Sequence, residues 1–168
     1  RYTYMDCVRA IAVARTFPEV GPIVLMGGSQ GGGLTLAAAA LTRDQIVAAM
    51  PDVPFLCHYE RSLEVFGGGP YNELVDWWKR HPGLVQQHLR TLSYFDGMNL
   101  APRIRVPVLM SVGLMDTICP PSSGFAVFNH LSSTEKMLCV YPYNGHEGGG
   151  PYDEEEKYRF VRAQFGKR

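Results

Sequence analysis

The sequence has no surplus of either charge: sixteen Lys and Arg balance sixteen Asp and Glu, and the formal net charge is zero. Nothing therefore draws the chain electrostatically toward nucleic acid or anionic lipid, both of which reward a basic surface. Charged residues are scarce as well, 19% against a usual figure of about 25%, which suggests surface turned toward other protein. Cysteines are few, at Cys7, Cys57, Cys119 and Cys139. No two are spaced as C-x-x-C and no histidine stands at a zinc-finger distance from them, so neither a redox motif nor a metal site is implied. They read as reduced thiols in a cytoplasmic setting. The longest uncharged run, Val20 to Thr42, has the length of a membrane span but is broken by Pro22, the glycines at 27, 28, 31, 32 and 33, Ser29 and Gln30. No membrane partner is expected. No basic-then-apolar leader opens the chain and residue 1 is Arg, so the chain is expected to begin mid-protein or after processing.

What is present is apolar material, 46% of 168 residues, enough for a core and too much for a disordered chain. Residues 3 to 17 predict a helix with Thr3 as N-cap and Met5, Val8, Ile11 and Ala12 on one side. Ile23 to Met26, Ile46 to Met50 and Pro107 to Val112 are short apolar runs typical of strands buried on both faces, and Lys136 to Tyr141 reads as a fourth strand. Between them lie predicted helices at Leu34 to Leu41 and Pro120 to Leu131, and Tyr152 to Phe165 follows the last strand. That last helix has Asp153 to Glu156 near its start and Arg162 near its end, the charge order that suits a helix dipole. A helical excursion from about 59 to 98 separates the second strand from the third. Strand followed by helix, repeated, argues for an α/β fold with a mostly parallel sheet, and no repeat or low-complexity linker marks a second domain across 1–168.

Gly27-Gly28-Ser29-Gln30-Gly31 fits G-x-S-x-G and lies between a predicted strand and a predicted helix, where the motif's mechanics require it. The turn is so sharp that the serine backbone is strained, and glycines two before and two after it leave room for neighbouring backbone. The hydroxyl is thereby held out at the carboxyl edge of the sheet, and the N–H of Gln30, opening the helix, points where an oxyanion would form. The alternatives are a plain glycine-rich turn or a phosphate cradle. Neither G-x-G-x-x-G nor G-x-x-x-x-G-K-[ST] aligns here.

A nucleophilic serine needs a base, and the base an orienting carboxylate, because a serine hydroxyl is hardly ionised at neutral pH. Asp116 follows the third strand and His146 the fourth, on glycine-flanked loops at the edge that carries Ser29. Each has a plainer reading, a capping aspartate and a surface histidine; three positions at strand ends in the order Ser, Asp, His favour the catalytic one. Asp52, after the second strand, is the reserve orienter. His58, His81, His88 and His130 fit as surface or capping residues. Glu147 adjoins His146, but HEGGGP is not H-E-x-x-H, and no zinc site follows. Trp77 and Trp78, with Tyr71 and Phe66, are either a sugar-stacking platform or core.

GGSQGGGLTLAAAAL, TLSYFDGMNLAPRIRVPVLMSVGLMDTICPP, FAVFNHL and YNGHE together resemble the acetyl xylan esterase and cephalosporin C deacetylase family of carbohydrate esterases, from about Tyr4 to the C-terminus. The resemblance implies an α/β-hydrolase fold and removal of acetyl groups from xylo-oligosaccharides and related small esters such as cephalosporin C. It implies no cofactor, an intracellular setting and a homohexamer. It carries the nucleophile onto Ser29, the acid onto Asp116, the base onto His146 and one oxyanion donor onto the backbone of Gln30. Family members begin with roughly as much chain again, including an R-G-Q segment and a tyrosine whose N–H is the second oxyanion donor. The chain thus reads as the C-terminal part of one α/β-hydrolase domain, with the nucleophile strand left unpaired along one edge. A serine peptidase of the same fold, or a non-catalytic or split-enzyme subunit, is the alternative.

Overall fold

The computed structural model describes residues 1–42 and 45–166. Four strands, β1 (Val24–Gly28), β2 (Ala48–Asp52), β3 (Val108–Gly113) and β4 (Lys136–Tyr141), form one sheet in the order β1-β2-β3-β4, every pair parallel. Parallel neighbours need a crossover, and helices supply each one. Helix α1 (Tyr2–Ala14) precedes β1, and α2 (Gln30–Thr42) joins β1 to β2. Between β2 and β3 run α3 (Tyr59–Val65), α4 (Tyr71–Arg80), α5 (Val85–Leu92) and α6 (Gly97–Leu100), with 3₁₀ turns at Pro82–Leu84, Ser93–Phe95 and Ala101–Arg103. Helix α7 (Pro121–His130) joins β3 to β4, and α8 (Pro151–Phe165) follows β4.

Because side chains alternate across a strand, the sheet has two distinct faces. Val108, Met110 and Val112 point with Ala49 into the main core, which Leu36 and three alanines of α2, Ile11 of α1, Ala101, Ile104 and Val127 of α7 complete. Leu109 and Ser111 point the other way, toward the side on which α8 packs across β2 and β3. Helix α2 is apolar all round because it lies between β1 and β2 on one side and α1 and α6 on others. Its alanines let it sit close to the sheet, and Leu36 fills the centre; truncating that side chain to Ala is worth about 2–5 kcal/mol.

Three details differ from the sequence-based expectation. The helix after Ser29 starts at Gln30, not Leu34, so the glycines at 31 to 33 are helical. Their poor propensity is overridden by close packing: a Cβ on Gly33 would fall 2.2 Å from the Phe55 carbonyl oxygen. The buried stripe of α1 is rotated, with Tyr4 and Ile11 inside and Met5 and Ala12 exposed, because the Tyr4 hydroxyl donates to the Phe95 carbonyl at 2.7 Å; Thr3 lies within the helix and caps nothing. Finally, β1 is not buried on both faces. Its unpaired edge agrees with the expectation, but one face is open as well, with Met26 59% exposed.

Candidate active site

All four strands point the same way, so their carboxyl ends share one edge and the segments that follow them meet there. Ser29 is the hinge between β1 and α2, at φ 56°, a left-handed conformation that costs an L-residue about 1–2 kcal/mol. Three backbone hydrogen bonds hold it: its N–H donates to the Asp52 carbonyl at 2.9 Å, and its own carbonyl accepts from Gly33 at 3.1 Å and Phe55 at 2.9 Å. The glycine requirement is one-sided. A Cβ on Gly27 would lie 2.6 Å from the backbone of Gly31, whereas one on Gly31 would meet nothing within 4 Å. Room is needed before the serine, and Gly31 is the backbone that uses it.

From β3, Asp116 reaches the same edge. Its side chain is 1% exposed, and Oδ1 accepts the backbone N–H groups of Ile118 at 2.8 Å and Cys119 at 2.9 Å. This local turn fixes the carboxylate so that Oδ2 faces outward. From β4, the loop bearing His146 is held to the Asp116 loop by backbone bonds, Leu114 N–H to Tyr141 at 3.0 Å and Met115 N–H to Asn144 at 3.0 Å. The imidazole bridges the two: Nδ1 lies 2.9 Å from Asp116 Oδ2, and Nε2 lies 2.9 Å from Ser29 Oγ. With Asp116 ionised, Nδ1 carries the proton and Nε2 is free to accept from the serine hydroxyl. The His146 side chain is 29% exposed, so a substrate can reach it. Gln30 opens α2 and its N–H has no partner within the helix; it borders an open cleft with Tyr4, Leu34, Leu56, Tyr59 and Phe95.

The structure thus brings together Ser29, Asp116, His146 and Gln30, and leaves Asp52 out. The Asp52 side chain turns to the opposite face of the sheet, where Ser111 donates to Oδ1 and Lys157 lies 3.4 Å from Oδ2. Burial and the nearby Asp153 charge push its carboxyl above the ordinary range.

One neighbour escaped the sequence reading. Cys119 is buried beside Ser29; burial and the Asp116 charge push its thiol up to about 12, although a hydrogen bond with Ser29 works the other way. It therefore stays protonated at neutral pH, and serine is the nucleophile the arrangement can activate. The only hint was its place three residues after Asp116. Among the described residues, Asp116, Cys119 and His146 offer donor atoms within 4.8 Å of one another, a set that could hold a metal ion. Both Asp116 oxygens and both ring nitrogens are already committed to hydrogen bonds, which equips the group for proton transfer.

The other candidates fall elsewhere. Tyr71 is core, its ring 4.7 Å from Phe55 and 5.7 Å from Phe66. Trp77 stacks on His81 at 4.0 Å, and Trp78 donates to His88 at 3.1 Å, inside the α4–α5 hairpin. His130 ends α7 facing the Ala126 carbonyl. His58, expected as a surface or capping residue, takes the cap position ahead of α3 at φ 46°, with no side-chain cap bond and its ring Nδ1 buried and unpartnered.

Comparison with known proteins adds three findings. A family model described as Acetyl xylan esterase (AXE1) matches residues 1–164. Acetyl esterase Axe7A of Xylanibacter ruminicola is 30% identical over 150 residues, covering 87% of this chain and 32% of that protein. The structures of the acetyl xylan esterase from Paenibacillus sp. R4 (46% identity, TM-score 0.88) and of Acetyl Xylan Esterase 1 from Thermoanaerobacterium sp. JW/SL YS485 (34% identity, TM-score 0.85) each superpose on 95% of this chain. The chain spans 51% of either solved relative. The fold is that of the α/β-hydrolases. No helix among the described residues is long and apolar enough to cross a membrane.

Proposed function

Since the chain belongs to the acetyl xylan esterase family, we propose that it carries the nucleophile, base and acid of a serine esterase that removes acetyl groups from xylo-oligosaccharides and related small esters, cephalosporin C among them. The observation that carries this reading is the unbroken hydrogen-bonded chain from Ser29 Oγ through His146 to Asp116. Ser29 Oγ attacks the acetyl carbonyl carbon while its proton passes to His146 Nε2. The carbonyl electron pair moves onto oxygen, which accepts a hydrogen bond from the Gln30 N–H at the head of α2. His146 then returns the proton to the departing sugar oxygen, the ester bond breaks, and an acetyl group remains on Ser29. Water attacks that acetyl group, giving its proton to His146, and acetate leaves as Ser29 takes the proton back. Asp116 keeps Nδ1 protonated throughout and stabilises the imidazolium as it forms.

The chain is read as the C-terminal part of one α/β-hydrolase domain, with the helices from about 59 to 98 as an insertion. The unpaired outer edge of β1 and the 51% coverage of the solved relatives support this. A cytoplasmic setting is supported by the four free cysteines. A homo-oligomer, a hexamer by the resemblance, is supported as far as protein contact goes by the low charged fraction and the exposed Met26, Met115 and Tyr143. Light scattering on the purified protein tests it, with a monomer as the contrary result.

The functional test is hydrolysis of p-nitrophenyl acetate beside p-nitroacetanilide, with the unaltered protein and Ser29→Ala. The proposal expects ester turnover that Ser29→Ala abolishes, and little amide turnover. Faster cleavage of the anilide would make the protein a peptidase, and equal rates for variant and unaltered protein would remove the esterase reading.

A further inference from the structure

Behind the Ser29 edge, on the α8 face of the sheet, lies a second charged cluster that takes no part in moving the proton. Lys157 of α8 is its centre. Its Nζ lies 2.8 Å from Glu154 Oε1, 2.8 Å from Asp153 Oδ2 in a charge contact without hydrogen-bond alignment, and 3.4 Å from Asp52 Oδ2. The Tyr141 hydroxyl donates to Asp153 Oδ1 at 3.0 Å, and Ser111 donates to Asp52. Asp153 is 2% exposed.

We infer that Lys157 is a positioning residue for the proposed esterase: through Asp52 it fixes the separation between the turn that carries Ser29 and the loop that carries His146. The inference rests on the reading of Ser29 as nucleophile. Asp52 touches both elements. Its carbonyl accepts the Ser29 N–H at 2.9 Å, and its side chain lies under the histidine loop, where a Cβ on Gly148, two residues after His146, would come within 3.0 Å of Oδ1. The next residue of that loop is seated as tightly on the other wall, since a Cβ on Gly149 would enter the Tyr141 ring at 2.0 Å. Tyr141 in turn is bonded to Asp153, which faces Lys157. One ammonium group is thus the common partner of the two carboxylates whose neighbours are the nucleophile turn and the base loop. Three carboxylates share this one ammonium.

Without the ammonium, Asp52 and Asp153 repel one another across the cluster, and the movement appears at the reacting atoms; misplacement by about 1 Å costs on the order of 10² in rate. The test is Lys157→Met in the intact protein, read by fluorophosphonate labelling of Ser29 and by p-nitrophenyl acetate kinetics, with folding followed separately by circular dichroism. The expected result is a folded variant that labels about 10²-fold more slowly, with the loss in kcat and KM within about twofold of its original value. Lys157→Arg, which keeps the cation, should restore most of the rate. Asp52→Asn combined with Lys157→Met should cost no more than the worse single change, because both break one link. A folded Lys157→Met protein that labels at the unaltered rate overturns the inference. Should that variant not fold, Asp52→Asn decides it in the same way. If the unaltered protein fails to label at Ser29 at all, the esterase reading falls first and this inference with it.

Discussion

Two groups of charged side chains lie at one end of the same sheet, and they are built on opposite terms. The Ser29–His146–Asp116 group is open on one side, with a partly exposed imidazole and one carboxylate held by two backbone amides. The Lys157 group is mostly buried, with Asp52 and Asp153 on the inner side of a single ammonium and Glu154 on its solvent side, and with Asp52 pushed toward its protonated form by burial and by Asp153. In the proposed reaction the first exchanges a proton with a substrate, and its imidazole alone combines a fixed partner on one side with partial exposure, while Asp116 is held at both oxygens. The second takes no part in the proposed proton transfer. Its contribution is placement, and removing one member of such a set leaves the others buried without compensation.

The contrast is sharpest for the acid. Asp116→Asn leaves the shape of the site intact but favours the wrong imidazole tautomer; turnover of p-nitrophenyl acetate should fall about 10⁴-fold with the melting temperature little changed. A comparable loss of melting temperature would mean that Asp116 is scaffold as Asp52 is. A smaller effect is expected where the two groups meet. Gly148→Ala places a Cβ 3.0 Å from Asp52 Oδ1 at a φ of 59°, and the strain, about 1–2 kcal/mol, should lower both the melting temperature and Ser29 labelling. Loss of stability with unaltered labelling would separate the groups.

Alkaline pH distinguishes them again. Burial works against the Lys157 charge, but the three carboxylates together outweigh it and hold its pKa above the usual lysine value. A raised folded pKa gives stability that is fully present below the unfolded value, about 10.4, and lost as pH rises through the folded one. The melting-temperature gap between the unaltered protein and Lys157→Met should therefore be constant from pH 8 to about 10 and narrow above it. A gap that does not narrow would mean that the charge of Lys157 is not what stabilises. The smallest effect belongs to Cys119. Cys119→Ala should change labelling of Ser29 by less than about threefold, since a protonated thiol neither takes nor gives the proton that His146 carries. A loss of a hundredfold would put the thiol into the chemistry.

The two groups also differ in how far the amino-acid order revealed them. Ser29, Asp116 and His146 were legible because each closes a short apolar run with a loop signal, and in a parallel sheet such ends must share an edge. The Lys157 group was not. Asp153 and Lys157 sit among the acidic and basic residues of PYDEEEKYR, which read as a solvated helix face with a favourable dipole; only the fold shows that one side of that helix rests on Asp52 and Tyr141. Asp52 stands out in the sequence only as a reserve orienter after β2, because position along a strand does not say which face the last side chain takes, and here Ser111 and Lys157 hold it on the α8 side. The exposed face of Met26 was missed because Ile23 to Met26 is as apolar as a central strand, and burial on both sides depends on neighbours that periodicity does not supply.

The most direct measurement is reaction of the protein with a fluorophosphonate ester followed by peptide mapping, beside His146→Ala. The account predicts one adduct, on Ser29, formed at least about 10³-fold more slowly in the variant. An adduct on any other residue, or equal labelling with and without the imidazole, would contradict it.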